Sequence, residues 1–364
     1  MGWSTRGPRL ARRAEYEVNG AVVALLERRG WAPVVLPSPG YGNPEMLRIF
    51  ARVVMAPAGH PRRTGTRDAS PRAVPDGDSR RGWRAFLSAE VAGADVRAVV
   101  QGPDGPVEHR LATDDSGYLD CRLPNPGLPP GRQQVDLLVD GVPAAVAPVF
   151  VVDPSIDYGL ISDIDDTVIR TLLPRPLTAA YNAFVMPERN RMPVPGMAGL
   201  YARLLRGHPG TPVIYVSTGA WNTAGALARF LRRHGFPEGA MLLTDWGPTS
   251  TGWFRSGPDH KRECLRTLAE DLPNVSWVLI GDDGQRDLAL YSEFARARPD
   301  RVRALLIREL GLAERAAGRG AIQHLGPEVR PVPEVPLVRG TDGAALLLEL
   351  HRRRMLPVPP PIAG

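Results

Sequence analysis

The sequence predicts an α/β protein: a mostly parallel sheet with helices on both faces in the C-terminal half, preceded by a smaller antiparallel β-sandwich. Three observations carry that expectation. From about residue 155, apolar strand-like runs alternate with amphipathic helical patterns, as parallel strands joined by crossover helices require. Upstream, short runs of alternating polarity are separated by Gly-, Pro- and Asp-rich turns, the pattern of a sandwich. The 364 residues are enough for two cores at roughly 100–200 residues per domain.

Taken in order, Leu10 to Arg29 reads as an amphipathic helix and Pro37-Ser-Pro-Gly-Tyr-Gly as a turn. Met46–Met55 is strand-like, and the Arg/Gly/Pro/Asp-rich stretch Ala56–Gly82 has little to bury and reads as a long loop or disordered insertion. The sandwich strands are Trp83–Val91, Val96–Gln101, Val107–Ala112, Tyr118–Leu123, Gln134–Val139 and Ala147–Val152. The parallel strands are Tyr158–Ile164, Pro212–Ser217, Met241–Thr244, Trp277–Gly281 and Val302–Ile307. Helical spacing marks Gly196–Arg206, Thr223–His234 and His260–Leu272, for example through Leu265, Leu268 and Leu272. The expected division is an N-terminal helical segment over 1–40, the sandwich over 41–152 with its insertion at 56–82, the parallel-sheet domain over 153–356, and a Pro-rich tail over 357–364.

Composition removes several classes. With 38 Gly and 38 Pro the chain is loop-rich but below the level of low-complexity disorder, and no apolar run reaches the ~18–20 residues of a spanning helix. The basic N-terminus (Arg6, Arg9, Arg12, Arg13) is followed by Glu15 and Glu17 with no small-residue cleavage site, so no signal peptide is expected. Cys121 and Cys264 are too far apart in sequence for ligand spacing, which argues for neither a disulfide framework nor a zinc cluster and points to a reducing, cytoplasmic setting. The formal charge is +6, yet no aromatic-interleaved basic stripe or reader motif accompanies it, so nucleic acid is not an expected partner. The runs Arg62-Arg63, Arg80-Arg81 and His351-Arg-Arg-Arg354 are solvated faces or contacts for anionic lipid headgroups at ~1 kcal/mol per residue, a peripheral membrane attachment. Trp221 and Trp246 read as packing or rim residues, and His208, His234 and His324 as surface residues without ligand spacing.

One compositional skew is informative. The 45 basic residues include a single lysine, Lys261. Arg and Lys exchange freely at most surface positions but not where a compact ammonium is needed, so a lone survivor merits tracking.

In open parallel sheets ligands bind beyond the carboxyl ends of the strands, and there the polar residues gather. The first parallel strand runs into Asp163-Ile-Asp165-Asp-Thr167, and crowded carboxylates of this kind repel unless a cation lies among them, Mg²⁺ being the natural oxygen-liganded choice. An acidic turn or helix cap explains a lone D-x-D-x-T equally well. The second strand ends in Ser217-Thr218-Gly-Ala-Trp-Asn222, hydroxyls that suit a phosphate oxygen or a helix N-cap. The fourth ends in Asp282-Asp-Gly-Gln-Arg-Asp287, and Lys261 lies near the start of the helix leading into it.

The joint order of D-x-D-x-T, Ser/Thr, Lys and G-D-x(4)-D, each at a strand or helix end, resembles the haloacid-dehalogenase-type phosphatase superfamily. More closely, Tyr158–Val168, Val216–Asn222 and Gly281–Tyr291 resemble the actin-patch-protein-type phosphatidate phosphatase family, with Gly40-Tyr-Gly a fainter echo upstream. Asp283 stands where that family usually has Ser, and Thr218-Gly219-Ala220 replaces its Ser/Pro-rich turn. The resemblance implies a Rossmann-like catalytic domain and a Mg²⁺-dependent phosphomonoesterase acting on phosphatidate through an aspartyl-phosphate. It implies Asp163 as nucleophile and Asp165 as acid–base, with Ser217 and Lys261 holding the transferring oxygens. Mg²⁺ would be held by Asp163, the Asp165 carbonyl and Asp282, and Asp287 is a further metal candidate. Thr167, Thr218 and Asn222 are additional phosphate-binding candidates, and Arg170–Pro195 is expected to be a small flap near the substrate. The other readings are a phosphatase for a soluble phosphomonoester and a non-catalytic module that recruits a membrane or a partner.

Overall fold

The computed structural model describes residues 19–57, 89–139, 142–170, 191–244, 257–284, 286–311, 314 and 332–356. The residues expected to form the start of the first helix, most of the 56–82 insertion, the strand start Trp83–Ser88, most of the flap, Trp246, His324 and the Pro-rich tail lie outside the described residues. Two compact units emerge: Met1–Pro154 with Ala220–Asn222 and Thr244–Ser256, and Ser155–Gly219 with Thr223–Leu243 and Gly257–Gly364.

In the first unit a helix over 19–28 precedes seven strands. These are β1 (Trp31–Gly42), β2 (Met46–Pro57), β3 (Asp95–Gly102), β4 (Gly105–Ala112), β5 (Tyr118–Pro124), β6 (Gly131–Val139) and β7 (Val142–Val151). They hydrogen-bond in the order β4-β3-β6-β7-β1-β2-β5, with β1 and β7 the parallel pair. Where the sequence predicts two packed sheets, hydrogen bonding joins the strands in one. Alternate residues such as Leu47, Ile49, Ala51 and Val53, Val96, Ala98 and Val100, or Val135 and Leu137 meet in a single apolar cluster, as period-2 side-chain alternation dictates.

The first strand corrects the sequence expectation. Residues 31–42 are β1 and not the end of a helical segment with a turn, so the boundary expected at residue 40 falls inside a strand. Three prolines (Pro33, Pro37, Pro39) conceal it. β1 pairs with β2 along its length but with β7 only at Gly40–Gly42, so among the described residues the proline-bearing stretch has one unpaired side, where a missing N–H costs no ladder bond.

The second unit holds β8 (Tyr158–Asp163), β9 (Ile169–Arg170), β10 (Met192–Pro193), β11 (Val213–Ala220), β12 (Ala240–Thr244), β13 (Ser276–Asp282), β14 (Val302–Arg308) and β15 (Leu337–Gly340). Six of them form a sheet in the order β12-β11-β8-β13-β14-β15, while β9 and β10 make a short antiparallel ladder. The pairs β11–β8, β8–β13, β13–β14 and β14–β15 are all parallel. β8 and β12 are buried at every position, as expected of strands covered on both faces. The helices Met197–Leu205, Ala224–Arg233 and Gly257–Asp271 lie where periodicity puts them, burying Leu200 and Leu204, Leu227 and Phe230, and Leu265 and Leu268. The helices Asp287–Ala297 and Gly343–Arg352 and the strand β15 are additions that the sequence reading did not contain.

Chain order makes the sheet a 3-2-1-4-5-6 arrangement. The connections reverse direction at β8, flanked by β11 on one side and β13 on the other. The carboxyl ends of β8, β11 and β13 are therefore neighbours.

Candidate active site

Asp163 is the last residue of β8 and Asp282 the last of β13, while Asp287 opens the helix that follows β13; all three are buried. One carboxylate oxygen from each lies within 4.8 Å of the others. Lys261, in the first turns of the helix Gly257–Asp271, enters this cluster with its side chain only 4% exposed. Its Nζ donates to Asp163 Oδ1 at 2.7 Å and to Asp287 Oδ1 at 2.5 Å. Asp287 Oδ2 accepts the Asp282 amide at 3.4 Å, so both Asp287 oxygens are engaged. Asp282 Oδ1 accepts the Gly284 amide at 2.6 Å.

The D-x-D-x-T segment bends sharply after the strand. Asp166 adopts the left-handed region at φ 58°, and its N–H donates to the Ile169 carbonyl while Val168 N–H returns to the Ile164 carbonyl. The turn sends Asp165 away from Asp163, and Asp165 Oδ2 accepts the Ser217 hydroxyl at 3.0 Å. Ser217 Oγ in turn accepts the Gly219 amide at 2.9 Å, which fixes the hydroxyl at the end of β11. Two carboxylates two residues apart thus occupy different surroundings: one buried against a lysine, the other half-buried against a serine.

Electrostatics calls for another cation. Burial pushes the Asp163 carboxyl well above its usual range; Lys261 opposes that push, and the carboxylates of Asp287, Asp282 and Asp165 reinforce it. Burial raises Asp282 likewise, with Asp287 adding to it. Burial lowers the Lys261 ammonium, but Asp163 and Asp287 outweigh it and hold the lysine charged. One ammonium among three buried carboxylates leaves excess negative charge. Asp163 Oδ2 is buried with no hydrogen-bond partner among the described residues, as is Thr167 Oγ1. Hard oxygen donors with an unsatisfied ligand atom fit Mg²⁺, with Asp163 and Asp282 the residues able to hold it.

Of the residues singled out from sequence, Asp163, Asp165, Thr167, Ser217, Lys261, Asp282 and Asp287 come together in the second unit, and Thr218 follows Ser217 within β11, which runs on to Ala220 where the sequence predicts a strand end at Ser217. Asn222 groups with the first unit; its Oδ1 is buried without a hydrogen-bond partner among the described residues. Trp221 packs in that unit on Phe50 and Tyr118 with ring centroids 5.3 and 6.1 Å away. Asp283 accepts the Leu310 amide at 3.0 Å and so ties the turn after β14, which gives it a structural task. A residue near the site that the sequence reading missed is Arg308, and Gly281, quoted there only as part of the G-D-x(4)-D motif, has a packing role. A side chain at Gly281 would lie 2.7 Å from Asp287 Oδ2, so only Gly leaves room for that carboxylate.

Residues 158–309 match the family described as phosphatidate phosphatase APP1, catalytic domain. An uncharacterized protein of Schizosaccharomyces pombe is 28% identical over 152 residues, and the phosphatidate phosphatase APP1 of Saccharomyces cerevisiae 26% identical over 151. These alignments cover 42% and 41% of this chain but only 25% of either relative. The HAD domain of the effector protein Lem4 from Legionella pneumophila is 13% identical at a TM-score of 0.30, covering 43% of this chain and 87% of that one. Over residues 158–309 the resemblance drawn from the motifs is borne out.

Proposed function

We propose, from the APP1-type catalytic-domain match over residues 158–309, that this chain is a Mg²⁺-dependent phosphomonoester hydrolase whose substrate is phosphatidate, released as diacylglycerol and phosphate. The observation that carries the chemistry is Lys261 bridging Asp163 and Asp287 at the switch point of the sheet, with Asp165 turned away onto Ser217. Asp163 attacks phosphorus, forming an aspartyl-phosphate as the ester oxygen leaves, which splits one displacement into two. Asp165 gives that oxygen its proton, then takes one from the water that attacks phosphorus and frees Asp163. The two carboxylates can divide these roles because their environments differ. Lys261 faces the nucleophile and offsets charge on the transferring oxygens, and Ser217, Thr218 and Thr167 supply hydroxyls to them. Asp287 orients Lys261. Asp163 and Asp282 would hold Mg²⁺, which when bound would supply positive charge to the phosphoryl group.

The substrate reading rests on the family match, and charge supports attachment to an anionic surface. The formal charge is +6, and the last helix presents Leu348, 54% exposed, beside the run Arg352-Arg353-Arg354. A cytoplasmic setting accords with Cys121 and Cys264, neither of which is in a disulfide among the described residues. An idle recruitment module has no need of a buried lysine poised between two carboxylates. We keep as a proposal the parallel-sheet domain over 153–356 after a β domain, with β1 assigned to the β domain because it pairs with β2.

The deciding experiment measures phosphate release with Mg²⁺ from phosphatidate in vesicles of rising anionic fraction, beside a panel of soluble phosphomonoesters. Phosphatidate should be turned over faster, and its turnover should fall with salt as the surface is screened over ~10 Å at 0.1 M. Phosphatidate hydrolysed no faster than an aryl phosphate at any composition moves the substrate to a soluble ester. No release from any ester removes the enzyme.

A further inference from the structure

Arg308, the last residue of β14, is a buried guanidinium that takes no part in the chemistry above, yet it touches the segment that bears it. Its Nη1 donates to the Asp166 carbonyl at 2.6 Å, its Nε to the Thr341 carbonyl at 3.1 Å, and its Nη2 to Glu314 Oε1 at 2.7 Å. Three nitrogens reach three separate acceptors, a task for a planar fork and not for a point charge. The Arg308 carbonyl accepts the amide of Asp283, the neighbour of Asp282, at 3.0 Å. Glu314 is shared: Oε1 also accepts Arg170 Nε at 3.1 Å, and Oε2 the Gly311 amide at 2.9 Å. Arg170 belongs to β9, directly after the D-x-D-x-T loop. The loop is therefore gripped at its centre by Arg308 and at its exit by Arg170, with one carboxylate joining the two.

The gripped peptide is the strained one. Asp166 is the residue at φ 58°, and a non-glycine residue persists in that region only where its surroundings over-determine it. That inversion follows Asp165 directly and folds the chain back so that the Asp166 N–H meets the Ile169 carbonyl, which anchors the C-terminal side of Asp165. We propose that Arg308 is a positioning residue for the reaction: its bond to the Asp166 carbonyl holds the left-handed peptide, and Glu314 fixes Arg308 for that purpose. The proposal rests on Asp163 and Asp165 acting as nucleophile and acid–base. It assigns to a residue at the end of the fifth strand in chain order control over the geometry of the first.

The test is Arg308→Lys in the full chain, which keeps the charge but not the fork. Three quantities are read: kcat and KM on p-nitrophenyl phosphate with Mg²⁺, the melting temperature, and deuterium exchange of the peptide spanning residues 164–170. A misplacement of about 1 Å costs about 10²-fold in rate, so kcat should fall by about that factor while KM stays within about twofold. Exchange should quicken in 164–170 and not in β11 or β12. Glu314→Gln, which keeps shape and one acceptor, should give a smaller loss of the same kind and serves if the first variant does not fold. A purely structural role predicts a lower melting temperature with kcat retained, and that result overturns the proposal. So does wild-type exchange across 164–170 in a folded variant. If the wild-type protein hydrolyses no phosphomonoester, the function fails, and the exchange alone then decides whether Arg308 holds the loop.

Discussion

Lys261 reaches Asp287 as well as Asp163: its Nζ lies 2.5 Å from Asp287 Oδ1, and the pair is almost wholly buried. The lysine is thus aimed from behind by a carboxylate on the helix after β13, which leaves its front to Asp163. Such a slot suits a compact ammonium.

The composition skew becomes a prediction here. Lys261→Arg should lose about 10²–10³ in kcat although charge is conserved, as loss of one aimed electrostatic contact typically does. Steady-state rates on an aryl phosphate check it, and a variant within a few-fold of wild type marks the lysine as a leftover. Lys261→Ala should in addition destabilise the metal-free protein by about 3–5 kcal/mol in a denaturant melt, because it leaves buried carboxylates uncompensated.

Asp163→Asn should abolish turnover and leave the fold intact, since an amide cannot form the acyl phosphate. Excess chelator should silence the wild type equally, with recovery on adding Mg²⁺. In a thermal melt, Mg²⁺ should raise the midpoint of the wild type by more than that of Asp163→Asn. Activity surviving in either the variant or the chelator would sink the mechanism.

Gly281→Ala tests the packing around Asp287. The added methyl would meet Asp287 Cβ and Oδ2 at 2.7 Å and Tyr291 at 2.8 Å. Overpacking of this kind costs about 1–3 kcal/mol, and the carboxylate is the part free to shift. The expected outcome is a modestly lowered melting temperature with a disproportionate fall in kcat. Wild-type kcat in this variant would show that Asp287 need not be held where it lies.

A pH effect follows from Glu314. Burial raises its carboxyl, but hydrogen bonds from Arg308 and Gly311 and the charges of Arg308 and Arg170 outweigh that and bring it below its ordinary value. A depressed carboxyl contributes stability that is present above its unfolded value and lost as pH falls through the folded one. Acid titration of the melting temperature should therefore fall less steeply in Glu314→Gln than in wild type below about pH 4.5. Parallel curves would show that the three-way bridge adds nothing.

Sequence spoke most clearly where chemistry and strand ends coincide. Asp163 and Asp282 each close a largely apolar run, which is visible without coordinates, and Lys261 stood out because every other basic residue short of histidine is arginine. The service of Asp287 to the lysine was not visible, since it depends on how two helices set their first turns against one another. Arg308 was lost among the other arginines, though it too closes an apolar strand, Ala304-Leu-Leu-Ile-Arg308. β1 was hidden because proline argues against a strand until its unpaired side is known.

The position of β8 bears on how the molecule comes into being. It is the first long strand of its unit to leave the ribosome, yet it lies inside the finished sheet, so β13 must later be laid directly against it. Lys261 meets Asp163 across 98 positions of chain and then waits another 26 for Asp287. Closing longer loops costs only about 0.6 kcal/mol per doubling, which equilibrium stability tolerates, but it slows assembly because no local contact rewards the search. A nascent chain that ends before residue 287 therefore carries Asp163 and Lys261 without the carboxylate that holds the lysine from behind. On the proposed roles, the site is completed late in synthesis, when Asp287 emerges and docks on Lys261.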